Sequence, residues 1–321
     1  MQRQFLEFIT GADDADRRLD RLVRRFLPDA TLPVIYRAIR TGAIRVDGKK
    51  AKPSTRIPAS SKLQIEEELL REGRGTVEES PSIQPRREPG RTEVSILLET
   101  RNLLFVSKPR GMLSHGEGGL DAFMLARYPS STSLSFVPAP LHRLDRNTTG
   151  IVACSRSLEG ARLFSSLLRK GQISKRYIAL LDGEFQGSGI WKDSIVRDGE
   201  ERKSRRGDQD SPEGGRLAVT GYESIAAARG KTLALLALGT GRTHQIRIQA
   251  ALHGHPLSGD QKYGGAPWSA GYILHAWVLG FAEPPFEDVP SAVVAPLSVE
   301  TLDSLGRLFG AEVLRRFSDP L

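Results

Sequence analysis

Hydrophobic positions recur along this chain with two different periods. Near the start, Leu19, Leu22, Val23, Phe26 and Leu27 fall at helical spacing, and a second helical stripe follows at Ile35, Tyr36 and Ile39. Thr31 is placed to cap that second helix, Pro33 fits its first turn, and Gly42 offers its C-terminal stop. The period then drops to two. Ile44-Arg45-Val46 alternates, Asp47-Gly48 is a tight-turn pair, and Leu63-Gln64-Ile65 supplies a further strand beyond the irregular stretch around Pro53 and Pro58. Two short helices meeting a hairpin predict a small α/β module over residues 1–75.

From Arg71 to Arg91 the apolar spacing is lost, and Gly73, Gly75, Pro81, Pro85, Pro89 and Gly90 stand among many charges, which predicts a linker over 76–93. A tether of this kind raises the effective concentration of one module beside the other. Beyond Val94 the apolar segments return as short strands around Ile96, Leu103, Leu141, Ile151, Tyr177 and Thr232, and a helical period intervenes at Leu158, Ala161, Phe164 and Leu168. A further helix is expected over Gln245 to Leu252. This mixture predicts an α+β domain over 94–321. The stretch from Lys192 to Gly215, rich in Arg, Asp, Glu and Gly, reads as a solvent-exposed polar insertion.

Composition narrows the function classes. Lys and Arg together number 46 against 38 for Asp and Glu, a net charge of +8 that suits a polyanionic partner. Cys154 is the single cysteine, so no intramolecular disulfide or sulfur-rich metal cage can form, and its apolar setting points to burial in a cytosolic protein. The six histidines are dispersed without zinc spacing; His253-Gly254-His255 reads as a loop after a helix rather than a metal site. Gly214-Gly215 and Gly264-Gly265 lack the flanks of a nucleotide loop, so neither ATP nor a nicotinamide cofactor is implied. No apolar run reaches secretory or membrane-spanning length.

The candidate chemistry lies in separated motifs. His142-Arg143-Leu144-Asp145-Arg146-Asn147-Thr148-Thr149-Gly150 sets one carboxylate beside basic groups. By itself an Arg-Leu-Asp triplet also fits a surface or cap-forming aspartate. Four further motifs occur in order: Lys108-Pro109-Arg110-Gly111, Lys175-Arg176-Tyr177, Gly241-Arg242-Thr243-His244-Gln245-Ile246-Arg247, and Gly259-Asp260 with Tyr263-Gly264, followed by Leu274-His275-Ala276. Together this series, across residues 95 to 285, resembles the RluA-type RNA pseudouridine synthases. Arg110 stands where alanine is more usual, and Thr149 where serine is common.

The resemblance implies a largely antiparallel, curved sheet and a cofactor-independent isomerase acting on RNA. Conversion of uridine to pseudouridine breaks the bond from C1′ to N1, turns the base, and joins C1′ to C5. It makes Asp145 the essential group, as nucleophile or as elimination base, through a covalent or a glycal-like intermediate. It makes Arg247 the ionic partner of Asp145, held by two directed hydrogen bonds, with a phosphate anchor or a structural ion pair elsewhere as the other uses of a guanidinium. Tyr177 would stack on the target base, since a neutral phenol is an inefficient proton acceptor. Arg143 would enter the space left by the flipped nucleotide. His142, Arg242 and His244 are expected to contact RNA or order the loops around it, His244 being ill placed as a general base, and Lys108 is expected to contact RNA. Leu144 would support the loop from behind.

Residues Arg18-Leu19-Asp20, the helix end from Arg37 to Gly42, and Val46-Asp47-Gly48-Lys49 resemble an S4 RNA-binding domain. Here Ala59-Ser60 replaces the usual glycine-aspartate turn. Arg37, Arg40, Arg45, Lys49 and Lys50 could form a basic face that positions phosphates rather than reads bases. Ile35-Tyr36-Arg37, Ile44-Arg45-Val46 and Lys52-Pro53 look closer to the RluC-like branch, which points to 23S rRNA or a large-subunit assembly intermediate. A tRNA or dual substrate and a noncatalytic RNA-binding or ribosome-assembly role stand as alternatives. A monomer is expected.

Overall fold

The computed structural model describes residues 3–73, 93–128, 133–198, 203–207, 215–269 and 271–318, so the expected linker lies outside them save for its last residue. The chain packs as two compact units, one of Met1–Arg91, Phe123–Ala139 and Arg156–Gly160, the other of Thr92–Ala122, Pro140–Ser155 and Ala161–Leu321.

In the first unit the predicted stripes become the core: Leu19, Leu22, Val23, Leu27, Ile35, Ile39, Ile44, Ile57, Leu63 and Ile65 are buried together. The second helix spans Leu32–Thr41 and ends at Gly42 in the left-handed conformation, φ 81°. The first is shorter than its stripe, Leu19–Val23, and the chain continues through Arg25 and Phe26 in tighter turns, their N–H groups donating to the Leu22 and Val23 carbonyls. Asp47 and Gly48 both take positive φ, 51° and 78°, as a primed turn requires. Ile44–Val46 pairs antiparallel with Lys62–Glu66, whose other edge carries Phe5–Ile9, a strand that hydrophobic spacing did not announce. At the substituted turn, Ser60 takes the left-handed conformation itself, φ 61°. Asp14 is completely buried in this unit. It accepts from the backbone of Gly11, Leu134 and Ser135 and from the hydroxyls of Ser133 and Ser135 at 2.5–2.8 Å.

Among the described residues the second unit is built on an eleven-stranded sheet. Its main path runs Lys203–Arg206, Ser188–Asp198, Arg216–Ala228, Lys231–Leu238, Ile173–Asp182, Leu274–Phe281, Thr149–Ser155, Leu103–Lys108 and Ser95–Glu99. Along this path only Thr149–Ser155 beside Leu274–Phe281 is parallel; the other pairs are antiparallel. All eight residues of Leu274–Phe281 are buried. One side of the sheet packs Ile178, Leu180, Leu233 and Trp277 against the helices Val299–Phe309 and Ala311–Ser318 through Leu305, Leu308, Leu314 and Phe317. The stretch expected as a polar insertion is largely sheet where described: Lys192 to Asp198 continue a long strand and Lys203–Arg206 pairs back on it, with Asp193 and Ile195 alternating inward between polar positions. The parallel junction places the central motif. Gly150, φ 105°, lies so close to the next strand that a Cβ would stand 2.2 Å from the Ala276 carbonyl, and only glycine permits the approach. Thr149 Oγ1 meets His275 Nδ1 at 2.8 Å, and His275 Nε2 meets the Ala295 carbonyl at 2.9 Å.

Candidate active site

The loop carrying Asp145 is clamped from behind. Gly111 N–H donates to the Arg146 carbonyl at 2.9 Å and Arg146 Nε returns a bond to the Gly111 carbonyl at 3.0 Å. Ser114 Oγ donates to the Leu144 carbonyl and accepts from its N–H. Lys108 is wholly buried, and its ammonium donates to the carbonyls of Pro109, Met112 and Arg146 at 2.9–3.0 Å. Burial pushes its pKa down to about 8, with Asp145 pulling upward and Arg110 downward, so the ammonium persists at neutral pH with all three protons used internally. This corrects the expectation that Lys108 meets RNA: it braces the carbonyl next to Asp145. Arg110 spans to a second loop, donating to the Tyr272 carbonyl with its guanidinium 5.7 Å from that ring's centroid.

The distal motif forms the helix Gln245–Leu252. Two glutamines one turn apart fasten it to the sheet. Gln245 accepts from the Thr240 hydroxyl and the Arg242 N–H and donates to Val219 and Thr220, while Gln249 accepts from Thr220 and donates to Asp193. His244, the residue before the helix, and Arg247, in its first turn, both reach Asp145. Arg247 Nη1 lies 3.4 Å and His244 Nε2 3.9 Å from Asp145 Oδ2.

Arg247 does meet Asp145, but its paired hydrogen bonds go elsewhere. Nε and Nη2 each donate to Asp260 at 2.7 Å, while the Asp145 contact is single and long. The guanidinium is also flanked by the rings of Tyr272 and Tyr263, 4.8 and 5.0 Å from their centroids. Burial works against its charge, but the Asp260 bonds and the surrounding carboxylates outweigh that and hold its pKa above the ordinary arginine value. A permanent cation fixed on one carboxylate is thus presented to a second. Tyr177 is buried, and burial together with Asp145 raises its pKa, which keeps the phenol neutral.

The remaining expected residues divide. Arg143 and Arg242 are exposed, Arg242 donating through Nε to the Leu217 carbonyl. His142 turns inward: its ring stacks on Phe164 at 5.9 Å, its Nε2 accepts from the Ala153 N–H, and burial drives its pKa well below the usual histidine value. That corrects its assignment to RNA, because the ring is held between Phe164 of the helix Leu158–Arg169 and the Ala153 N–H of the sheet. Asp260, Tyr263 and Tyr272 are the side chains that sequence reasoning did not place in the site. The first two sat in a quoted motif without a role; Tyr272 had no sequence signal.

The family profile for RNA pseudouridylate synthase matches residues 102–252. Ribosomal large subunit pseudouridine synthase C of Salmonella typhi is 30% identical over 299 residues, covering 87% of this chain and 89% of that protein. The chain belongs to the RNA pseudouridylate synthase family. The corresponding Escherichia coli K12 protein is likewise 30% identical, over 85% of this chain and 87% of its own length. Among solved structures, Human RNA Pseudouridylate Synthase Domain Containing 4 superposes with a TM-score of 0.53 at 21% identity, covering 70% of this chain and 93% of that one. Human RNA Pseudouridylate Synthase Domain Containing 1 gives 0.50 at 22%, covering 68% and 97%. These likenesses bear on the fold.

The pseudouridine synthase also carries an S4 domain, matched over residues 17–62. Within it Arg37, Arg40, Lys49 and Lys50 are exposed. Arg45 is half-buried, with Nε on the Gly42 carbonyl and its guanidinium 4.6 Å from the Phe5 centroid. Among the described residues no helix is long and apolar enough to cross a membrane.

Proposed function

We propose that this pseudouridine synthase isomerises uridines of large-subunit ribosomal RNA with Asp145 as the reacting carboxylate. The observation that carries the assignment is the convergence of Arg247 and His244 on Asp145 at 3.4 and 3.9 Å. A partly buried carboxylate whose charge is balanced by a permanent cation can act at C1′ or on a neighbouring sugar proton. In this reading Asp145 attacks or abstracts, Arg247 balances its charge, Tyr177 lies against the base, and Arg143, exposed two residues before Asp145, fills the space left by the flipped nucleotide. Arg242 contributes a phosphate contact.

The substrate class follows the names of the relatives, which act on the ribosomal large subunit. We assign residues 1–75 as the docking module, 76–93 as the linker and 94–321 as the catalytic domain, with Phe123–Ala139 and Arg156–Gly160 of the last packed in the first unit. Arg37, Arg40, Arg45, Lys49 and Lys50 bring the first of these onto phosphates. The protein works as a cytoplasmic monomer.

Asp145→Asn tests the assignment: single-turnover pseudouridine formation falls by roughly 10²–10⁴ or more while RNA affinity holds. Near-normal turnover would remove Asp145 from the mechanism. Joint substitution of Arg37 and Arg40 by Ala weakens binding and lowers the salt slope by about 0.9 per lost phosphate contact; an unchanged slope would remove the proposed docking face.

A further inference from the structure

The segment from Gly259 to Gly264 sends two side chains into the site. Asp260 grips Arg247. The second, Tyr263, places its hydroxyl 2.8 Å from His244 Nδ1, the ring standing edge-on to the imidazole at 80°. The other imidazole nitrogen, Nε2, faces Asp145 Oδ2 at 3.9 Å, so tyrosine, histidine and the carboxylate form a line. His244 adopts a left-handed backbone, φ 54° and ψ 23°, as the residue preceding the helix, and its side chain makes no capping bond to that helix. A non-glycine residue in this conformation is strained and is kept only where its surroundings over-determine it. Here the constraint aims the imidazole at Asp145.

We propose that His244 is a positioning residue for Asp145, locked by the Tyr263 hydroxyl in the tautomer that carries its proton on Nε2. An ionised carboxylate is an acceptor only, so the nitrogen facing it is the N–H. Nδ1 then accepts from Tyr263, which has a hydroxyl proton to give. The imidazole is kept neutral by its burial and by Arg247 and Lys262, against the pull of Asp145 and Asp260. At 3.9 Å the N–H is not yet hydrogen-bonded; it closes on the carboxylate when RNA fills the pocket.

The geometry also distinguishes the two oxygens of Asp145. Arg247 and His244 both approach Oδ2, which leaves Oδ1 as the oxygen presented to the ribose. This rests on the reading of Asp145 as the reacting group. It adds that the line through Tyr263 and His244 selects which lone pairs of that group react.

The test joins nitrogen-15 NMR of the imidazoles in the full-length protein, with His244 assigned by its loss in His244→Gln, to single-turnover rates at saturating RNA. The expected spectrum is a neutral Nε2–H tautomer for His244, becoming a tautomer mixture in Tyr263→Phe. The rate falls roughly 2- to 10-fold in Tyr263→Phe, the worth of one hydrogen bond, with RNA affinity unchanged. His244→Ala falls further. His244→Gln, whose amide offers an N–H near the Nε2 position, recovers part of that loss. An Nδ1–H tautomer in the parent protein overturns the proposal, as does a parental rate in a folded Tyr263→Phe. Full activity in Asp145→Asn would instead overturn the catalytic reading, leaving the tautomer result to stand on its own.

Discussion

Asp260 provides the sharpest energetic test of how the site is built, because Arg247 is shared unequally between two aspartates. Its side chain is 9% exposed and that of Asp260 2%, and they meet through two bonds of 2.7 Å. Asp260→Ala leaves a guanidinium buried with one long contact to Asp145. Breaking a buried ion pair from one side costs about 3–5 kcal/mol, because the remaining charge cannot regain its hydration. For a unit of this size that lowers Tm by about 6–20 °C. Asp260→Asn keeps the shape and one acceptor, and costs about 1.5–3 kcal/mol, the worth of one charged hydrogen bond. Asp145→Asn is expected to cost no more than about 1 kcal/mol, since its 3.4 Å contact is single and its side chain 18% exposed. Urea unfolding followed by tryptophan fluorescence measures all three, with pseudouridine formation measured beside it. The predicted order is Asp260→Ala, then Asp260→Asn, then Asp145→Asn in lost stability, with activity lowest in Asp145→Asn. A loss in Asp260→Ala below about 1 kcal/mol, or one smaller than in Asp145→Asn, would refute the view that Asp260 anchors the cation and Asp145 borrows it.

Lys108→Met leaves three carbonyls behind the Asp145 loop without their donor, and lost activity and lower thermal stability are expected with the salt slope of RNA binding unchanged; a shallower slope would restore Lys108 as a phosphate contact. Asp14 supplies the pH dependence. Burial raises its pKa, but the Ser135, Leu134, Gly11 and Ser133 donors overcome this and hold it below the ordinary 3.8. Its stabilisation is therefore complete above the unfolded value and is lost as pH falls through the lower folded one. Urea unfolding from pH 5 downward shows this decline, which Asp14→Asn makes shallower while Asp20 and Asp182, also held low, keep the rest; an equal slope in the variant would remove Asp14 as a source.

The motif residues named the chemistry without saying how they face one another. Helix Gln245–Leu252 was legible to the residue, and Asp145 and Arg247 stood out because spaced motifs constrain residue type. The pairing of Arg247 was not, because order along the chain does not say which of two carboxylates a fork will grip, and Asp260 lies only 13 residues beyond it. Lys108 and His142 misled for one reason. A basic side chain in a motif suggests phosphate, whereas here one ammonium is spent on backbone carbonyls and one imidazole is stacked on Phe164. Strands Ser188–Asp198 and Arg216–Ala228 were masked by charge and glycine, although Trp191 and Ile195 do alternate inward along the first. Leu274–Phe281 is buried on both faces and so lacks the alternation that marks a half-exposed strand. In the smaller unit, Ser60 shows that a turn usually met by glycine can be held by a short polar side chain in the left-handed region.

The central claim is tested most directly by position-resolved pseudouridine mapping after the purified protein and its Asp145→Asn form are each incubated with unmodified 23S rRNA and with total tRNA. The account predicts discrete new pseudouridines in 23S rRNA with the parent protein and none with the variant. Modification confined to tRNA would contradict the substrate assignment. Equal modification by both proteins would contradict the role of Asp145, and none in either RNA with the parent protein would contradict the isomerase reading on free RNA.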